Sequence, residues 1–61
     1  MTTTVKIEAH LSREKEVVVE VNEDGAVIER ITLQDGERVE RYVYDNREIS
    51  VQEVAKKQSA N

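Results

Sequence analysis

The sequence predicts an all-β protein, a five-stranded antiparallel meander with one aliphatic face. Three observations predict it: apolar residues recur at every second position, polar or charged residues fill most of the alternate positions, and turn formers occupy the breaks between these runs. A period of two sends successive side chains to opposite sides of a pleated strand, so one face collects the aliphatic groups. Here it is the odd-numbered face: Val5, Ile7, Ala9, Leu11, Val17, Val19, Val21, Val27, Ile31, Leu33, Val39, Val43, Ile49 and Val51.

The first strand is expected near residues 3–11, in "TTTVKIEAHLS", with "LSREKEV" returning the chain so that Leu11 faces Val17. A second strand near 16–22 carries Val17, Val19 and Val21 and ends at "EDG". That x-Asp-Gly form suits a three-residue hairpin loop, a type I turn followed by a left-handed Gly. It would set Val21 opposite Val27 and Val19 opposite Glu29. A third strand near 26–33 ends at "QDG", of the same form, which would set Leu33 opposite Glu37. Ile31 then faces Val39, Val27 faces Val43 and Glu29 faces Arg41, while on the even face Arg30 meets Glu40 and Ile28 meets Tyr42. A two-residue turn would oppose apolar to polar residues along that ladder, which a buried face disfavours. The fourth strand is expected near 37–44 and the fifth near 47–54, with "DNR" between them pairing Val43 with Ile49. Glu8 opposite Glu20 and Val39 opposite Glu53 fit poorly, but a cross-strand pair contributes only about 0.2–1 kcal/mol.

The resulting aliphatic face needs cover. A dimeric sandwich of two copies supplies it, as would a curl of the sheet into a small open barrel. A short C-terminal helix is the third cover: "SVQE" at 50–53 matches a capping box, and Val51, Val54, Ala55 and Gln58 could form its stripe. The β-branched Ile49 and Val51, in phase with the other strands, oppose that choice. A single domain over 1–57 and a flexible tail at 58–61 are expected.

Composition narrows function more than any motif does. A chain of 61 residues has room for one small domain, and with no Cys, Phe or Trp its core falls to ten Val, four Ile and two Leu. A net charge of −4, spread over both halves, argues against attraction to phosphate backbones or anionic lipid. No apolar run reaches the roughly 20 residues of a membrane span, and "MTTTVKIEAH" lacks the apolar core of a signal peptide, so a cytoplasmic location is the expectation.

Catalysis and cofactors are not expected. His10 has no second His and no Cys for a metal site, Ser12 and Ser50 have no evident base, and the Asp24 and Asp35 loops lack the ligand spacing of a calcium loop. Gly25 and Gly36 are accounted for by turns and make no phosphate loop.

An interaction module remains, non-catalytic and homo-oligomeric. Its candidate surface is the polar face interrupted by Ile28, Tyr42 and Tyr44, with Arg38, Arg41 and Arg47 nearby. The first strand, free of Pro and with Lys6 as its interior cation, is a weakly protected edge for pairing with another strand. Two other readings follow from charge and aromatics. Glu14, Glu16, Glu20, Glu23 and Asp24 could imitate phosphates in an inhibitor of a DNA-binding protein, and Tyr42 and Tyr44 could stack on single-stranded nucleic acid.

Overall fold

The computed structural model describes residues 2–56. It is all-β, with five strands: β1 (Thr3–Glu8), β2 (Lys15–Glu23), β3 (Ala26–Leu33), β4 (Arg38–Val43) and β5 (Arg47–Ala55). All the ladders are antiparallel, as expected. The neighbours differ from the expected meander. The strands form two sheets, β1-β4 and β3-β2-β5, and of the successive strands only β2 and β3 pair. A period of two assigns each residue to a face without choosing which strand lies beside which.

Opposed charges fit the observed β1-β4 ladder. Lys6 faces Glu40 and Glu8 faces Arg38, and Ile7 faces Val39 on the inner side. This relieves two poor pairs of the meander, since Glu8 no longer meets Glu20 and Val39 no longer meets Glu53. In the second sheet Val19 faces Ile31 on one side and Val51 on the other, and Val21 faces Ile49. Val17 opposite Glu53 and Val21 opposite Glu29 are the poor pairs of this sheet.

The turn chemistry explains where the β2-β3 register departs from expectation. Asp24 and Gly25 both have positive φ, 53° and 83°, and Glu23 pairs with Ala26, so the loop has two residues. Positive φ at both central positions is the demand of a type I′ turn, which Asp-Gly meets well. Such a turn alone would slip the faces by one residue. The slip is absorbed between the rungs Asn22–Val27 and Val21–Glu29, where Ile28 is the extra residue of a β-bulge. Beyond it the aliphatic residues oppose one another again. Val27 lies on the turn side of the bulge, opposite Asn22 rather than Val21, and is exposed.

The second Asp-Gly makes a corner instead of a hairpin. Glu37 N–H donates to the Gln34 carbonyl at 3.0 Å, with Gly36 at φ +87°. The chain passes there from one sheet to the other. Two more bonds fasten this corner to the end of β1: Ala9 N–H donates to the Glu37 carbonyl (2.9 Å) and Gly36 N–H to the Ala9 carbonyl (2.8 Å). The Asp35 carboxylate accepts from Leu11 N–H at 2.9 Å. β1 therefore ends at Glu8 rather than Leu11, and the segment after it crosses to the other sheet.

The odd faces of the two sheets meet inside one chain. Ala9, Val17, Val19 and Leu33 are buried together, with Ile7, Leu11, Ile31, Val39 and Ile49 packed against them. The protein thus covers much of its aliphatic face itself, by folding over as a small sandwich and not as a closed barrel. The expected alternative of a C-terminal helix is corrected as well: β5 runs through Ala55 and holds Val51, Val54 and Ala55 in extended backbone. Gln58 and the tail at 58–61 lie outside the described residues. No helix among the described residues is long and apolar enough to cross a membrane.

Candidate interaction surface

The six residues expected to form one surface are dispersed over the two sheets. Ile28 sits at the bulge of β3, and Tyr42 faces Thr4 in the β1-β4 ladder, so the expected Ile28–Tyr42 neighbours lie on different sheets. Arg38 lies opposite Glu8 on the exposed side of β4. The expected Arg30–Glu40 contact is replaced by two others, Arg30 with Glu20 and Lys6 with Glu40, each at 3.6 Å.

Arg41 turns inward and meets the expected partner by an unexpected route. Its Nε and Nη2 donate to the two carboxylate oxygens of Glu29 at 2.8 and 2.7 Å. The two residues belong to different sheets, so this fork spans the sandwich rather than a ladder. The Arg41 hydrogen bonds hold the Glu29 carboxyl below its ordinary range, against partial desolvation, and the same contact raises the Arg41 guanidinium.

Tyr44 and Arg47 are brought together. The Arg47 guanidinium lies 4.5 Å from the Tyr44 ring centroid, a cation–π distance. It also donates from Nε and Nη2 to Oε1 of Glu23 at 3.1 and 2.8 Å, which raises its pKa. Nearby the β2-β3 and β4-β5 turns touch: Asn46 Nδ2 donates to the Asp24 carboxylate (2.9 Å), and Asp24 N–H to the Asn46 carbonyl (3.3 Å). Glu23, Asp24, Tyr44, Asp45 and Asn46 line an open hollow of about 180 Å³ at this end. A larger cleft of about 420 Å³ lies along β1 and β4, lined by Lys6, Ile7, Glu8, Arg38, Val39 and Glu40. No group of three or more acidic, His or Cys side chains among the described residues is placed to hold a metal ion. His10 lies exposed in the crossing segment after β1, not in the strand.

Several of the acids considered as phosphate mimics are engaged within the chain. Glu16 accepts from Gln34 Nε2, Glu20 pairs with Arg30, Glu23 with Arg47, and Asp24 with Asn46. That leaves Glu14, whose carbonyl accepts from Lys56 N–H at 2.9 Å.

A different surface was missed by the sequence reading. Val51 belongs to the aliphatic face yet is 54% exposed, because β5 is the outer strand of its sheet. The sequence held a signal for this: Glu53 occupies the same face two residues on, where a fully covered strand would place another aliphatic residue. The β5 backbone is half-used. Asp24 N–H to the Asn46 carbonyl and Lys56 N–H to the Glu14 carbonyl extend the β2-β5 ladder at its two ends, both between even-numbered residues. In an antiparallel ladder, hydrogen-bonded pairs alternate with non-bonded ones. Even-numbered β5 residues therefore bond to β2, and Ile49, Val51, Glu53 and Ala55 direct their N–H and C=O groups to the open edge.

Compared with protein-family models, curated proteins and solved structures, the chain matches none.

Proposed function

We propose that this chain is a small non-catalytic interaction module that acts as a homo-oligomer. The observation supporting this reading is the outer strand of the three-stranded sheet, where an aliphatic side chain of the inner face, Val51, stands next to a row of unused backbone donors and acceptors. Exposed apolar surface and an unpaired strand edge are each relieved by a neighbouring strand. Together they favour association through the backbone rather than through a pocket.

The aromatic groups play a smaller part in this reading. The Arg47 guanidinium lies on the Tyr44 ring, donates to the Tyr42 carbonyl and is paired with Glu23, so the cation beside the tyrosines is already engaged within the chain. Sedimentation across a concentration range tests the proposal. A concentration-dependent oligomer is expected, and a folded monomer at high micromolar concentration rejects it.

A further inference from the structure

The β5 edge carries a self-complementary pattern. We infer that two copies pair through β5, antiparallel and centred on Ser50, which joins two three-stranded sheets into one of six strands. The inference rests on the homo-oligomeric reading above and specifies its partner, a second copy of this chain, and its register.

The register follows from testing the alternatives on faces and charge. Odd and even residues point to opposite sides, so only registers that pair odd with odd keep the aliphatic face continuous. Centring on Ile49 sets Arg47 against the partner's Val51. Centring on Val51 sets Ile49 against the partner's Glu53. Centring on Ser50 sets Ile49 against the partner's Val51, and Arg47 against the partner's Glu53. Glu48 then meets the partner's Gln52, with no like charges opposed.

The backbone agrees with this choice. Ile49 and Val51 direct their N–H and C=O groups to the open edge and in this register form the two central hydrogen-bonded pairs, while in the outer pair with Glu53 the Arg47 N–H is already given to the Tyr44 carbonyl at 3.0 Å. Ser50, bonded inward to β2, falls at the two-fold axis as a non-bonded pair. The inner faces also become continuous. The observed row Ile31–Val19–Val51 is extended by the partner's Ile49 and the partner's Val21, which shelters Val51. In the next row the partner's Arg47 stands beside Glu53, so acid and base alternate across the junction.

Ser50 provides the test, because the chain has no Cys of its own. Facing residues in a non-bonded antiparallel pair have Cα atoms about 4.5 Å apart, within disulfide range. Ser50→Cys in the full chain is oxidised beside Lys6→Cys, which reports pairing along β1, with circular dichroism confirming the fold of both. A preformed pair holds the two thiols at millimolar effective concentration. At about 10 μM chain, Ser50→Cys should then cross-link roughly a hundredfold faster than by collision.

Fast cross-linking of Ser50→Cys and slow cross-linking of Lys6→Cys support the inference. So does weakening of wild-type self-association by about tenfold or more in Val51→Lys, since an edge lysine deters strand pairing. An oligomer by sedimentation in which Ser50→Cys cross-links no faster than Lys6→Cys overturns the β5 junction and leaves the homo-oligomeric reading standing. A folded monomer at high micromolar concentration overturns both.

Discussion

Arg41 on β4 grips Glu29 on β3 with both arms of its guanidinium, so a charged fork ties the two-stranded sheet to the three-stranded one. Each residue is half-buried on the odd face, facing an aliphatic residue in its own ladder, Val5 for Arg41 and Val21 for Glu29. Two apparent defects of the aliphatic pattern thus satisfy each other across the sandwich.

Acid should loosen this tie. Arg41 depresses the Glu29 pKa below its ordinary value of 4.5. A carboxylate with a lower pKa folded than unfolded contributes stability at pH above the unfolded value, and that contribution is lost as pH falls through the folded one. Urea midpoints should therefore decline on acidification below about pH 4.5. Glu29→Gln should lower the midpoint at neutral pH and flatten that acid limb.

The core prediction concerns β2. Val19 is fully buried at the centre of the three-stranded sheet, between Ile31 and Val51. Val19→Ala removes two buried methyl groups and leaves a void, an expected loss of about 2–3 kcal/mol by chemical denaturation. Val51→Ala, at the exposed edge, should cost the monomer less than about 1 kcal/mol.

Turn geometry predicts a cost that arises within the local backbone and owes nothing to packing against the rest of the fold. A Cβ at Gly25 would meet nothing within 4 Å, but φ there is +83°. Gly25→Ala should cost about 1–2 kcal/mol through backbone conformation alone, visible as a lower thermal midpoint. If the fold is undisturbed, the amide spectrum should change only around the β2-β3 turn.

The tyrosines should separate in a stability assay. Tyr42 is 57% exposed, so Tyr42→Ala should shift stability by no more than about 0.5 kcal/mol. Tyr44→Ala removes the ring over which Arg47 lies and should cost more. Equal effects would show that the cation–π contact contributes nothing measurable.

The alternation Val5-Lys6-Ile7-Glu8-Ala9 and its counterparts made the strands, their faces and most of the core legible in the sequence, since side-chain direction is a local property of a strand. Strand neighbours were less legible. Arg41 and Glu40 suit partners on β3 in one arrangement, and Glu40 suits Lys6 equally well in the other. Asp-Gly was recognisable as a turn at both positions, yet the two differ: at 24–25 it closes a type I′ hairpin compensated by a bulge, and at 35–36 it turns a corner between sheets. What distinguishes them is the contact of the second with Ala9 and Leu11, distant in the chain. The candidate surface was the least legible part, because scattering Ile28, Arg41 and Tyr42 over two sheets depends on topology.

That topology also bears on how quickly the native state is reached. Of the three ladders only β2-β3 is closed by a tight turn; Thr3 must find Val43, and Lys15 must find Ala55. Such distant encounters lose chain entropy before any contact compensates. Refolding should therefore be slow for a chain of this length, on the millisecond-to-second scale of non-local β proteins, with the β2-β3 hairpin as the one segment able to form early.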